Sequence, residues 1–274
     1  MKIVYLSNSR IPSRTANSIH VMKMCQAFAK NGHEVILIAP DKPNETVTDI
    51  YQFYGVDSCF KLIRQPWLKT KGRAYIYGWL AAKLAKHLNP DILYSRSIVG
   101  SFFATLIGMP VSFEIHQPIE DSGKLSSLMF HRLINSDHLK QLVFITNSLQ
   151  DYYQKKYPQL KCKVQVAPDG ADPISNEIRP IQLPSQNARL QVGYVGHLYQ
   201  GKGMEIISQL AHLSPWADFH IVGGIDKDIK FWQKQCSDLE NIYFWGYVPH
   251  QETIRYNLAF DVVLLPNQEF VGTA

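Results

Sequence analysis

The chain reads as an α/β protein built from two Rossmann-like, doubly wound domains, the second of them incomplete. Three observations predict this. Short apolar runs alternate with helix-period segments from the first residues onward, the rhythm of a parallel sheet covered by helices. The rhythm breaks in a proline-containing stretch from Asp172 to Asn187, then restarts. The restart itself carries a glycine-rich turn and a lysine between a strand and a helix, Gly193-Tyr194-Val195-Gly196-His197-Leu198-Tyr199-Gln200-Gly201-Lys202-Gly203.

Taken in order, Ile3–Ser7, Val35–Ala39, Lys61–Arg64, Ile92–Tyr94, Val111–Ile115, Leu142–Thr146 and Val164–Val166 are the strand-like runs of the first half. Helical periods lie near Ser18–Lys30, Arg73–Leu88, Val99–Ile107 and Leu125–Asn135. In the first helix Ile19, Met22 and Cys25/Gln26 share a face, Ser18 is placed to cap the start and Gly32 to end it. Pro173, Pro180 and Pro184 interrupt a segment without period, which predicts an N-terminal domain over 1–172, a linker over 173–188 and a second domain over 189–274. There the spacing predicts strands Leu190–Val195, Phe219–Val222, Ile242–Trp245 and Val262–Leu265, with helices Met204–His212, Asp228–Cys236 and Gln251–Leu258. A doubly wound domain has about five or six strands, so a C-terminal truncation is expected.

Composition narrows the function classes. The 274 residues are 46% hydrophobic and 19% charged, ordinary for a soluble globular protein. A net charge of +5 suits anionic small molecules or an acidic membrane surface, and is too weak and dispersed to predict nucleic-acid binding. Cys25, Cys59, Cys162 and Cys236 are far apart and form no C-x-x-C pair, so neither a disulfide framework nor a zinc site is expected. Met1 opens directly into a strand without signal-peptide order, and no apolar run is long enough to span a bilayer. A cytoplasmic protein is expected, and the Asn44-Glu45-Thr46 sequon is read as chance.

In open α/β sheets ligands bind beyond the carboxyl ends of the strands, so the loops there are the candidates. The loop Ser7–Ser18 contains no glycine, which disfavours a simple NAD enzyme. Its hydroxyls, amides and two arginines can line an acceptor or phosphate pocket, or merely cap a helix. Glu114 and His116 fall on one side of the strand Val111–Ile115. A histidine at a strand's carboxyl end is placed to hydrogen-bond a sugar hydroxyl, or is structural. Gly196, Lys202 and Gly203 supply backbone N–H groups, a helix start and a full charge, which is how a phosphate is held. Asp226-Lys227-Asp228 has the D-x-D form that can bind a metal–diphosphate. It sits at a helix start, where acidic residues favour the dipole, and no metal is expected. The segment Pro66–Trp79 mixes basic and aromatic residues, and suits either a membrane interface or a solvated loop.

These features together resemble the nucleotide-sugar glycosyltransferases of family 4, which have the GT-B fold. The resemblance runs from the first strand to Leu265-Pro266. It rests on the G-x-x…K-G clamp at Gly196–Gly203, on Thr146-Asn147-Ser148, on Ala167-Pro168-Asp169-Gly170-Ala171-Asp172, and on glycine loops at Gly223-Gly224 and Gly246–Pro249. In the family the clamp carries an arginine where this chain has His197, a weaker phosphate partner. The resemblance implies a catalytic His116 touching the transferred sugar. It also implies a donor site of Gly196, His197, Lys202, Gly203, Gly223, Gly224, Tyr247 and Val248, and an acceptor side at Arg14, Asn17 and His20. The family's pair of glutamates spaced by seven residues is missing, and Glu269 is not assigned to it.

The implied activity is transfer of a sugar from a UDP- or GDP-sugar to a hydroxyl, with retention, without metal and without a further cofactor. The acceptor would be a glycan or a lipid-linked sugar of a polysaccharide pathway, reached from the cytoplasm with peripheral contact to the inner face of the membrane. Two alternatives stand beside it: an isomerase of the nucleotide-sugar 2-epimerase kind, and a nucleotide-binding module without turnover.

Overall fold

The computed structural model describes residues 1–42, 46–184 and 189–268. It divides into two compact units, Met1–Ala171 and Asp172–Ala274. Glu269, the asparagine and glutamate of the Asn44-Glu45-Thr46 sequon and the last four residues of the expected linker lie outside the described residues.

The first unit runs β1 (Lys2–Leu6), α1 (Ala16–Lys30), β2 (Glu34–Asp41), α2 (Ile50–Tyr54), β3 (Lys61–Pro66), α3 (Arg73–His87), β4 (Ile92–Ser95), α4 (Ile98–Leu106), β5 (Val111–Ile115), α5 (Lys124–Ile134), β6 (Leu139–Phe144), α6 (Asn147–Lys156), β7 (Lys163–Val166). Its seven strands pair in parallel in the order β3-β2-β1-β4-β5-β6-β7. The direction of winding reverses between β1 and β4, where such sheets leave a crevice. Both faces are covered, so β1 and β5 are buried along nearly their whole length rather than in alternation. Val4 and Leu6 enter a core with Phe113, Phe130 and Phe144, while Tyr5 enters another with Val21, Met22 and Leu37.

One local expectation is corrected, and two local features were not predicted. Helix α1 begins at Ala16 after Thr15, so Ser18 lies inside its first turn. The Ser18 hydroxyl is fully buried and donates to the carbonyls of Ser13 and Thr15, tying the β1–α1 loop to the helix instead of capping it. At the start of α6 the cap is Thr146, whose hydroxyl accepts from Leu149 N–H, while Asn147 and Ser148 are exposed. The five-residue helix α2, capped by Asp49, was not expected; it is too short for a helical period to show.

The second unit runs β8 (Leu190–Val195), α7 (Met204–Leu213), β9 (Ala217–Val222), α8 (Asp226–Gln235), β10 (Ile242–Gly246), a 3₁₀ turn, α9 (Thr253–Asn257) and β11 (Val262–Val263). Its sheet is parallel with order β10-β9-β8-β11. Part of the stretch read as linker is attached to this unit: Ile181 N–H donates to the Arg255 carbonyl and Arg255 Nε donates to that of Arg179. Among the described residues no helix is long and apolar enough to cross a membrane.

The core of the second unit holds a histidine in one protonation state. His220 on β9 is fully buried and stacks between Tyr243 and Phe260, with ring centroids 5.1 and 5.7 Å away. Trp245 Nε1–H donates to its Nδ1 at 3.2 Å, so Nδ1 keeps a lone pair and Nε2–H donates to Gln191 Oε1 at 2.7 Å. Burial lowers its pKa to about 4, outweighing the opposite pull of Asp218. A histidine whose pKa falls on folding stabilises fully above its unfolded value of 6.5 and loses that contribution as pH falls toward 4. Acidification from pH 7 to 4.5 is therefore expected to cost the second unit about 2 kcal/mol through this group. Histidine-selective NMR checks it: the His220 ring should remain neutral at pH 5, and a ring protonated there contradicts the assignment.

Candidate active site

Two groups of residues form at the carboxyl edges of the sheets, one in each unit. In the second unit the loops after β8, β9 and β10 are laced together. Gly196 N–H donates to the Val222 carbonyl, and Gly223 N–H donates to that of Gly246. The segment after β11 joins them, with Gln268 N–H on the Gly201 carbonyl. Side chains from the body of the unit pin the first loop: Tyr194 Oη–H donates to the His197 carbonyl and Trp232 Nε1–H to that of Leu198. Gly196, His197, Lys202, Gly203, Gly223 and Gly224 thus share one edge, with Tyr247 and Val248 just beyond β10.

Two of these glycines are required by geometry. Gly203 precedes α7 at φ +94°, and a Cβ there would stand 2.3 Å from the Pro266 carbonyl oxygen. Gly223, at φ +109°, would place a Cβ 2.3 Å from the Gly196 carbonyl oxygen. The first-turn N–H groups of α7 receive no side-chain cap, which leaves a positive helix end beside Lys202. The Lys202 ammonium lies over the Tyr199 ring. Burial and then Lys202 hold the His197 pKa below its ordinary value against the opposite pull of Asp228, so Lys202 carries the full charge of this loop near neutral pH.

In the first unit the network centres on Glu114, near the reversal of strand order. Glu114 is buried at the end of β5. Its Oε1 contacts Nε2 of His116, one residue past the strand, and lies 2.9 Å from Nε2 of His20 on α1. The Nδ1 of His20 is 3.4 Å from Asp169 Oδ1, from the loop after β7. The two imidazoles meet edge to face with centroids 5.0 Å apart. Burial pushes the Glu114 carboxyl up, but the hydrogen bonds and charge of His116 and His20 outweigh it and hold it well below the carboxylate range. Tyr94 on β4 is raised, first by burial and then by the Glu114 charge beside it.

His116 and His20 are therefore joined, while Arg14 and Asn17 lie on the neighbouring β1–α1 loop, Arg14 exposed and Asn17 hydrogen-bonded to Thr15. The central role of Glu114 and the presence of Tyr94 beside it were missed, while Asp169, read from the sequence as a candidate to line a cleft, joins the cluster through His20. A carboxylate in a strand whose other residues carry no charge was the available signal. Of the described residues, His20, Glu114, His116 and Asp169 form the group able to hold a metal, with one donor atom from each within 4.8 Å of the others. Asp226 and Asp228 instead occupy the first turn of α8, where the helix dipole favours them.

A sequence profile described as Glycosyltransferase Family 4 matches residues 18–174, more than half of the chain. The protein belongs to glycosyltransferase family 4. Its fold is GT-B: sucrose-phosphate synthase from Thermosynechococcus elongatus superposes with a TM-score of 0.72 at 15% identity, over 97% of this chain and 75% of that one. Anabaena HepE in complex with UDP and glucose gives 0.66 at 14% identity, over 96% and 73%. The apo lipopolysaccharide outer core galactosyltransferase WaaB gives 0.63 at 12% identity, over 97% and 74%. None of the curated proteins matches the sequence.

Two outcomes test this glycosyltransferase's local geometry. Gly203→Ala is expected to cost about 1–3 kcal/mol, from a disfavoured φ and the Pro266 contact. Gly170→Ala, with open space around it, should cost much less, and equal denaturation midpoints would contradict the requirement. Because the folded pKa of Glu114 is depressed, its contribution is complete above the unfolded value of 4.5 and is lost as pH falls below it. Acid denaturation should accordingly be steeper for the wild type than for Glu114→Gln.

Proposed function

We propose that this glycosyltransferase moves a sugar from a UDP- or GDP-sugar to a hydroxyl of a glycan or lipid-linked acceptor, with retention at the anomeric carbon. The observation that carries this reading is the pinned Gly196–Gly203 loop, which ends on the uncapped start of α7 with Lys202 beside it. A diphosphate bound there meets N–H groups, a helix dipole and a full positive charge, the elements that stabilise a departing anion without a metal. Structural relatives with nucleotide ligands support the donor class: HepE is described with UDP and glucose, and starch synthase IV from Arabidopsis with ADP and acarbose.

In this reading residues 1–172 form the acceptor-side domain and 189–274 the donor domain. Gly196, His197, Lys202 and Gly203 hold the diphosphate. Gly223 and Gly224 let the backbone approach the nucleotide, and the Tyr247–Val248 backbone borders the base. His116 aligns the transferred sugar, and Arg14, Asn17 and His20 face the acceptor. The bond from the anomeric carbon to the diphosphate oxygen breaks, one to the acceptor oxygen forms on the same face, and the acceptor's hydroxyl proton passes to the departing diphosphate. The exposed Trp79 with Lys83 over its ring, and Trp67 flanked by Lys42 and Arg73, suit peripheral contact with an anionic membrane from the cytoplasm.

Calorimetric titration of UDP, GDP and NAD⁺, each with and without Mg²⁺, tests the donor class. Metal-independent binding of UDP or GDP is expected, with no binding of NAD⁺. Lys202→Ala should weaken nucleotide binding about 10- to 100-fold, the worth of one charge-assisted contact, with an unchanged melting temperature. Unaltered affinity in that variant would remove the phosphate-clamp reading.

A further inference from the structure

Basic side chains gather at one end of the first sheet, apart from the Glu114 network. Strands β3, β2 and β1 are neighbours in that sheet, so the loops after them stand side by side on its carboxyl edge. Lys42 follows β2, Trp67 follows β3, Arg10 lies in the loop after β1, and Arg73 opens α3. The Lys42 ammonium is 5.5 Å and the Arg73 guanidinium 5.8 Å from the centroid of the Trp67 ring. Trp67 is half-buried and held in place. Its ring packs 5.6 Å from that of Tyr77, whose hydroxyl donates to the Ser7 carbonyl. The Trp67 indole N–H is buried and has no acceptor among the described residues. A buried donor left unpaired costs free energy that an incoming acceptor recovers.

The charges around this ring are of one sign. Among the described residues neither Lys42 nor Arg73 pairs with a carboxylate. Desolvation, and then the charges of Arg10 and Arg73, hold the Lys42 ammonium below its ordinary pKa. Helix α3 adds to the excess. It starts after Gly72 without a side-chain cap, carries no acidic residue in its first turn and opens on an arginine, against the preference of the dipole. A donor short of an acceptor and cations gathered at a positive helix end both point to an anion.

We propose that Lys42 and Arg73, set about Trp67, bind the phosphate or diphosphate of the acceptor, so that the first unit takes a phosphate-bearing acceptor rather than a neutral glycan. The guanidinium can hold a pair of phosphate oxygens at once, and the ammonium adds a point charge. The acceptor role rests on the glycosyl-transfer reading. It also divides the basic and aromatic surface of this unit. Exposed Leu68 and Trp79, the latter with Lys83 over its ring, remain for a lipid surface, whereas the enclosed Trp67 ring serves a discrete anion.

The test uses the full chain labelled with ¹⁵N-tryptophan, with inorganic pyrophosphate as the probe. The Trp67 indole resonance is assigned by its loss in Trp67→Phe. It is expected to shift saturably with pyrophosphate, and not with sodium chloride at matched ionic strength. Lys202→Ala should leave that response in place, since Lys202 belongs to the other unit. Lys42→Gln and Arg73→Gln should each weaken it about tenfold, the scale of one charge-assisted contact. Calorimetry on the Lys202→Ala chain gives a second readout, independent of the assignment. Pyrophosphate should still bind there, and adding Arg73→Gln should weaken it about tenfold. A Trp67 resonance that ignores pyrophosphate, follows salt alone or stops responding in Lys202→Ala overturns the proposal. Binding to phosphatidylglycerol vesicles should be unchanged by Lys42→Gln or Arg73→Gln. A loss of about fivefold with each, the worth of one basic residue at an anionic surface, makes the cluster a membrane contact and overturns the acceptor role. Failure of UDP and GDP to bind counts against the glycosyl-transfer reading and the acceptor role with it, while the Trp67 response decides the anion site by itself.

Discussion

Parallel pairing is the constraint on which both units depend. A strand cannot reach a parallel neighbour through a tight turn, so each pair needs a crossover, usually a helix, across a face of the sheet. All carboxyl ends then lie on one edge, and loops distant in sequence become neighbours. In the first unit this edge gathers His20 after β1, His116 after β5 and Asp169 after β7. In the second it brings the glycines after β8 and β9 close enough for backbone to touch backbone.

Burial of polar groups is handled in opposite ways on the two sheets. Glu114 is kept ionised because two imidazoles converge on one of its oxygens. His220 is kept neutral because an indole N–H claims its Nδ1 and aromatic rings close both faces. The partner at each nitrogen decides which form is stable; burial alone would favour the neutral form in both cases. The second arrangement holds a core together. The first leaves a polar cluster, partly open to solvent, at the carboxyl edge of the sheet.

Much of the architecture was legible because strand and helix periods are properties of local sequence. The runs at Ile3, Val111 and Leu190 became strands, and the periods at Arg73 and Met204 became helices, with ends displaced by one to three residues at most elements. Local chemistry was less legible. Ser18 and Ser148 have the right residue type for caps, but Thr15 and Thr146 stand at the actual boundaries, and the burial of Ser18 gave its hydroxyl another use. Glycine positions read as ligand approaches are also demanded by contacts within the unit, at Pro266 and Gly196, which no periodicity announces.

The order of strands and helices, the glycine–lysine turn and the family motifs were determined by the sequence alone, since each depends on residues near one another in the chain. The tertiary structure decided which distant residues meet: that Glu114 joins His116 to His20, that Asp169 closes the far side of His20, and that His220 is clamped neutral. Those juxtapositions follow from strand order, and strand order is set by non-local packing of two apolar faces that local patterns do not encode.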